Sequence, residues 1–307
     1  TGMATKTKKG ADAIYQMVTD RIVDALEAGT VPWQKPWKVT GLHRNFNSKR
    51  PYRGINQFLL DMVAADQGYD SPYWVTYKKL TEAGGSLIQK DDAEKGTGQR
   101  STPVVFWKMQ RWETGEKDDN GDPVVKTIPF LRYYSVFNTD QVTGLTLPEQ
   151  PEETFNPIES AQAIMDNMPK RPKLSHGGDR AYYRPGTDSI RLPKQASFSN
   201  PEEYYSTAFH EMVHSTGHES RLHRVKDWTT FGSDPYAREE LVAEMGAAML
   251  CGLAGIENAT IDNSAAYIKG WLDKISEDRK LVIQAAAAAQ KASDFILDTQ
   301  FEDHKSD

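Results

Sequence analysis

Residues 207–224 read TAFHEMVHSTGHESRLHR and hold four of the chain's seven histidines, His210, His214, His218 and His223. Within them, His210-Glu211-Met212-Val213-His214 fits the pattern H-E-x-x-H. No other feature restricts the fold as much, because side chains four apart meet only on an α-helix, where they stand one turn above each other. The stretch must be helical if its two imidazoles are to act together. The start of that helix is legible too. Asn200 is a favoured N-cap, Pro201 suits the first helical position, and Glu203 stands where a capping box would close. Ala208, Phe209, Met212 and Val213 give it an apolar side to bury.

Two imidazoles on one helical face can share a metal ion. Zinc held this way lowers the pKa of a bound water, and a neighbouring carboxylate such as Glu211 can take the proton as general base, which fits hydrolysis of a peptide bond. One cysteine, Cys251, rules out an internal disulfide framework and any cysteine-rich cluster, so the remaining ligands must come from His, Asp or Glu. YAREELVAEMGAAML, residues 236–250, offers Glu240 and Glu244 four apart on one helical face, beside apolar Val242, Met245, Ala248 and Met249. The expected arrangement makes Glu240 the third ligand and Glu244 an acceptor that orients a histidine ring, with Glu239 turned to solvent. His218, Glu239 and Glu244 compete for the third position, although Gly217 is expected to end the helix before His218. One Zn2+ ion is expected, with Mn2+ as the alternative. His223 reads as a surface residue. Tyr236 either packs or helps polarise a carbonyl. DSIRLP (188–193) reads as an ordinary edge strand that an extended peptide could join.

At 307 residues the chain suits two ordinary domains. Thr1-Gly2 ahead of Met3 reads as a cloning remnant and is left out of the fold argument. Ile14, Met17, Val18, Ile22, Ala25 and Leu26 recur at helical spacing, with Gly29 as a stop. VPWQKPW (31–37) then breaks regularity, and its prolines are expected to display Trp33 and Trp37 from a stiff loop. INQFLLDMVAADQGY (55–69) and YWVTYKKLTEAGG (73–85) read as helical, the latter ending at Gly84-Gly85. TPVVFWKMQRWE (102–113) and PVVKTIPFLRYYSVFN (123–138) read as a hairpin turning through EKDDNGD. LTLPEQPEETFNP (145–157) is the linker candidate. After it come a helix over 158–168, two short β segments in RAYYRPGTDSIRLP (180–193), the histidine helix, and an alanine-rich helical stretch over 264–297. The fold class is therefore α+β, with domains at 3–144 and 158–307. No apolar run is long enough to cross a bilayer and no signal-peptide core follows the basic start, so a cytoplasmic protein with no membrane partner is expected.

Residues 1–150 carry a balance of +2 and residues 151–307 one of −8. Between 31 and 60, Lys35, Lys38, Arg44, Lys49, Arg50 and Arg53 alternate with Trp33, Trp37, Phe46, Tyr52 and Phe58, with no acidic residue before Asp61. Trp74, Tyr77, Lys78 and Lys79 form a second mixed cluster. Single strands are held by cations along their backbone and by aromatic faces on which bases stack. The expected DNA-binding residues are accordingly Trp33, Lys35, Trp37, Arg44, Lys49, Arg50, Tyr52, Arg53, Trp74 and Lys78. The same pattern also fits aromatics in a core beneath a solvated cationic face.

VPWQKPW, YRGINQFLL, YYSVFNTDQVTGL, AYYRPGTDSIRLP, FHEMVHSTGHESRLHR and YAREELVAEMGAAML, in that order, resemble the ArdC-type antirestriction proteins of conjugative plasmids and related mobile elements. The resemblance covers nearly the whole chain and rests on six stretches, whereas H-E-x-x-H alone occurs in many unrelated hydrolases. It implies an N-terminal single-stranded-DNA-binding domain, similar to one in plasmid primases, joined to a zincin-like metallopeptidase domain. His210 and His214 would be metal ligands, Glu211 the catalytic glutamate, and EELVAE the source of the third ligand. The implied role is protection of incoming DNA from host restriction, with single-stranded DNA and a host restriction component as partners. The alternative is a DNA-shielding protein whose metal is structural.

Overall fold

A computed structural model describes residues 2–33, 42–88, 100–117, 121–148, 156–226, 234–258 and 265–299. The chain opens with α1 (Gly2–Glu27), which extends well upstream of the apolar repeat. Strand β1 (Arg44–Asn45), helix α2 (Ile55–Gln67) and strand β2 (Tyr73–Val75) follow, then α3 (Tyr77–Glu82) and β3 (Ser86–Leu87). A long hairpin comes next, β4 (Thr102–Lys117) and β5 (Pro123–Asn138), before the short β6 (Val142–Thr143). The main sheet has the order β1-β2-β5-β4, with β1 parallel to β2 and the other pairs antiparallel; β3 pairs with β6.

The structure corrects the helical reading of residues 73–85 at its start. Tyr73, Trp74 and Val75 are buried and form β2, because aromatic and β-branched residues suit a strand packed on both faces. Helix α3 begins only at Tyr77, where the Thr76 side chain accepts the Lys79 N–H at 3.3 Å.

The second half contains α4 (Pro157–Asn167), β7 (Lys173–His176), β8 (Tyr182–Arg184), β9 (Ser189–Leu192), α5 (Pro201–Thr216), α6 (Asp234–Ala254), α7 (Ala265–Glu277) and α8 (Leu281–Ile296). The alanine-rich stretch is therefore two helices, not one. They separate at Asp278, whose side chain and carbonyl accept the Lys280 and Leu281 N–H groups at 2.9 and 3.0 Å. The sheet order is β7-β9-β8, so DSIRLP is a central strand and not the expected edge. Its parallel partner β7 is short and mostly exposed, and no apolar alternation marks it in the sequence.

Helix α5 starts as its sequence indicates: the Asn200 side chain accepts the Glu203 N–H at 2.8 Å. The Glu203 carboxylate reaches one residue further back than a capping box would, to the Ser199 N–H at 2.9 Å. Helix α6 packs along α5 at close range. A Cβ on Gly246 would fall 2.8 and 2.9 Å from the Val213 methyl carbons, so only glycine allows this approach.

The architecture is α+β in two domains, yet its largest buried cluster is continuous across residues 145–157. It joins Ile14, Val18, Ile22 and Leu26 of α1 and Trp33 to the cores of α5, α6 and α8. Polar contacts bridge the same boundary, including an ion pair of Arg53 with Asp294 and the Gly54 N–H donated to Gln290 Oε1 at 2.8 Å. Among the described residues no helix is long and apolar enough to cross a membrane.

Candidate functional site

Helix α5 turns His210 and His214 to one side, and α6 brings Glu240 opposite them. The two Nε2 atoms lie 3.0 Å apart; His214 Nε2 is 3.3 Å from Glu240 Oε1, and His210 Nε2 is 3.6 Å from Glu240 Oε2. Four ligands placed tetrahedrally about 2.0–2.1 Å from zinc stand about 3.3–3.4 Å from one another. The three donors therefore already stand near the spacing one cation requires, and they fit the group. The side chains of His210 and Glu240 are 21% and 25% exposed, so solvent reaches the triangle. Among the described residues, this is the group of His, Cys, Asp and Glu donors with metal-site geometry.

Electrostatics bind the triangle together. Burial alone would lower the His214 imidazole, but hydrogen bonds to Glu239 and Glu240 and the charges of Glu240 and Glu211 push it up to about 10. Burial would raise Glu240, yet the two histidines hold it well below the usual carboxylate range. Glu211 is buried on α5 and close enough for its charge to act on both His214 and Tyr236. Tyr236, one turn before Glu240, hydrogen-bonds to it; burial and that carboxylate raise its hydroxyl pKa.

Two expectations about α6 are corrected. Glu239 is buried, not solvated, and its Oε1 lies 3.5 Å from His214 Nδ1. Arg224 holds it in place through bonds of 2.6 and 3.0 Å and also donates to the Val213 carbonyl and Thr216 hydroxyl. Glu239 thus supports the histidine from behind, the role expected of Glu244. Glu244 instead accepts from Trp33 Nε1 at 2.8 Å and from the Tyr267 hydroxyl, and burial pushes its carboxyl up. The reason lies beyond α5. The chain folds back after Gly217, where a Cβ would meet Val225 at 2.8 Å, and this return carries Arg224 under α6. His218 lies on that turn, outside the donor triangle, with Nδ1 2.8 Å from the Ser220 hydroxyl. Arg224 is the functional neighbour missed from the sequence. Its one legible signal is a cation close behind the helix end.

In the N-terminal half the described stacking candidates are core. Trp33 and Trp74 are fully buried and Tyr52 nearly so. Trp33 packs edge-on to Trp271, and its carbonyl accepts from Asn258 at 3.2 Å. Trp74 donates to His43 Nδ1 at 3.1 Å. Lys35 and Trp37 lie outside the described residues. The cations fare differently: Lys49 and Arg50 are exposed on a loop pinned by Gln57, whose amide bonds His43 and Tyr52 backbone groups at 2.6–3.0 Å. Lys49 Nζ sits over the Phe46 ring at 4.0 Å, and Arg44 donates to the Lys49 carbonyl at 3.1 Å. Arg53 is tied to Asp294, and Lys78 stands 3.8 Å from Glu82.

Comparison with known proteins places this geometry. Residues 12–137 match the N-terminal domain of anti-restriction factor ArdC, and residues 159–288 match a zincin-like metallopeptidase domain. The chain is similar to DNA primase TraC of Escherichia coli, 38% identical over 92% of this chain, but spans only 27% of that protein's length. A second TraC of Escherichia coli is 36% identical, with 20% of its length covered. The uncharacterized protein y4eC of Sinorhizobium fredii is 33% identical over 95% of this chain and 94% of its own. Among solved structures, the metal-free antirestriction ArdC protein of plasmid R388 superposes with a TM-score of 0.71 at 36% identity, over 94% of this chain and 99% of that one. Its Mn(II)-bound form gives 0.70, again at 36% identity, over 92% and 97%. With both domains matched in order and whole-length relatives at this identity, the chain belongs to the ArdC family of antirestriction proteins.

Proposed function

We propose that the protein protects incoming DNA by binding it as a single strand through the N-terminal domain and by hydrolysing a peptide bond in a host restriction component. The observation that carries the hydrolytic half is the donor triangle of His210, His214 and Glu240, with three protein donors, reached by solvent and with the charge of Glu211 acting on it. Structural metal sites are closed by four protein ligands, whereas catalytic ones keep a position free. One divalent cation held there would act as a Lewis acid and bring a water within reach of deprotonation at neutral pH. The Glu211 carboxylate takes that proton and returns it to the leaving amine. The Tyr236 hydroxyl donates to Glu240 and holds that carboxylate toward the histidines. Glu239, fixed by Arg224, stands at His214 Nδ1 and leaves Nε2 to the side where a cation would be held. Both metals fit such donors, and the Mn(II)-bound ArdC relative supports manganese beside zinc. The DNA half draws support from the family domain and from a relative whose name is DNA primase.

The test is Glu211→Gln, assayed for cleavage of restriction-enzyme subunits and for survival of transferred DNA in a restricting host. Loss of both with metal content unchanged is the expected result. Full protection by the variant would favour the second reading, DNA shielding around a structural metal, which the exposed cations Lys49 and Arg50 keep open.

A further inference from the structure

Trp33, Tyr52 and Trp74, expected to stack on DNA, are buried, so among the described residues a single-strand surface needs other rings. The β4–β5 hairpin supplies them. Its stretches 102–112 and 124–138 contain seven aromatic residues and the cations Lys108, Arg111, Lys126 and Arg132, with no Asp or Glu, in a chain of net charge −6. The acidic residues of the hairpin are confined to its far end, from Glu113 to Asp122.

Register decides how these side chains face. Phe106 pairs with Arg132 and Lys108 with Phe130, so all four share one face of the ribbon. Each ring therefore has a cation opposite it and another two residues along its own strand, about 7 Å away. The Arg132 guanidinium lies 5.8 Å from the Phe130 ring centre, and Phe106 meets Tyr134 at 5.7 Å. Lys108 is exposed, and Phe106, Phe130 and Arg132 are partly so. Among the described residues neither Lys108 nor Arg132 has a carboxylate within ion-pair reach, unlike Arg53 and Lys78. Nearer the sheet the same face turns inward, where Val104 and Val136 join the core with Trp74 and Leu60. The chequered patch is thus the part of this face that the helices leave open.

We infer that this face of the β4–β5 ribbon binds single-stranded DNA, with bases stacked on Phe106 and Phe130 and phosphates held by Lys108 and Arg132. The inference rests on the proposed DNA-binding reading and assigns it to a surface. Charge complementarity favours this occupant: an apolar protein partner would bury the rings but leave two cations unpaired, whereas a single strand supplies phosphates for the cations and bases for the rings. The opposite face carries exposed Trp107, Met109 and Tyr133 with Arg111 as its cation, and is the poorer match.

The experiment measures binding of a fluorescein-labelled oligothymidine to the full chain by anisotropy across a salt series. Lys108→Gln combined with Arg132→Gln should flatten the log–log salt slope by about 1.4, since each cation on a single strand contributes about 0.7. Phe130→Leu should weaken binding roughly 5- to 100-fold with the slope unchanged. Trp107→Ser on the opposite face should bind as wild type. Thermal melts verify folding, and Lys108→Arg should restore the slope that Lys108→Gln loses. Wild-type affinity and slope in both the cation and Phe130 variants would overturn this assignment while leaving DNA binding intact. A wild-type chain that does not bind the strand even at low salt would overturn the DNA-binding reading itself.

Discussion

The histidine helix and the segment from 31 to 60 each offered a dense set of chemically suggestive residues, but they folded in opposite senses. On α5 and α6 every candidate side chain sits in a regular helix, so spacing in the sequence is direction in space. His210 and His214 meet at 3.0 Å as that rule requires, and the packing of α6 on α5 brings Glu240 within 3.3–3.6 Å of them. Residues 31–53 have no such period. There, and in Trp74 beyond it, ring direction is set by distant partners: Trp33 by Glu244 and Trp271, and Trp74 by His43 and the β5 strand. A large aromatic ring gains more by burial than by display unless a partner occupies it, and these rings are buried.

The contrast is sharpest at Trp33. If it is core, Trp33→Ala costs about 3–5 kcal/mol of stability, read from urea melts, while oligothymidine affinity of the folded protein stays within about twofold. An unchanged melt with lost affinity would return Trp33 to the DNA surface.

The metal side is probed by removing one ligand. His214→Ala should lower divalent-cation affinity more than about 100-fold, since removing a ligand exceeds the effect of removing its support. Calorimetric titration with zinc or manganese reads this directly, and near-normal affinity would mean that the triangle does not hold the ion.

A finer cut separates the two glutamates whose roles were exchanged. Glu239→Gln should weaken cation binding about 10- to 100-fold by releasing the His214 ring. Glu244→Gln should leave affinity nearly unchanged and act on stability through Trp33 and Tyr267. The reverse pattern would restore Glu244 as the orienting acceptor.

The smallest effect concerns Asp188, which pairs with the buried Arg221 beside Tyr183. Burial alone would raise its carboxyl, but hydrogen bonds from Arg221 and Tyr183 and the Arg221 charge hold it below its ordinary value. A depressed carboxylate contributes stability that is present above its unfolded pKa of about 3.9 and lost as pH falls through the folded value. Asp188→Asn should therefore cost about 1 kcal/mol at pH 7, a figure reduced because a third of the side chain meets solvent. The gap from wild type should close below about pH 4, and a gap independent of pH would remove the charge from the account.

Much of the second half was legible because its elements carry their own punctuation. Asn200 caps its helix as its position ahead of Pro201 indicates, and Asn156 does the same ahead of Pro157, although both of those lie within the linker candidate. Strand β7 was not legible, since four mostly exposed residues carry no period. Glu239 was misjudged for a different reason. Its position on α6 points away from Glu240, and only the return of the chain after Gly217 places Arg224 where that direction becomes an interior.

By itself the sequence determined the histidine helix, the H-E-x-x-H face and the likeness to a known family, and it pointed to a glutamate-rich second helix. These follow from local rules, in which a few neighbouring residues fix backbone and side-chain direction. Tertiary structure alone decided which glutamate stands beside the histidine, which aromatic rings are core, and how far the β4–β5 ribbon reaches beyond that core. Those outcomes depend on pairs such as Trp33 with Glu244 and Arg53 with Asp294, more than 200 residues apart. Burial and pairing of that kind belong to the packed chain and have no period along the sequence from which to read them.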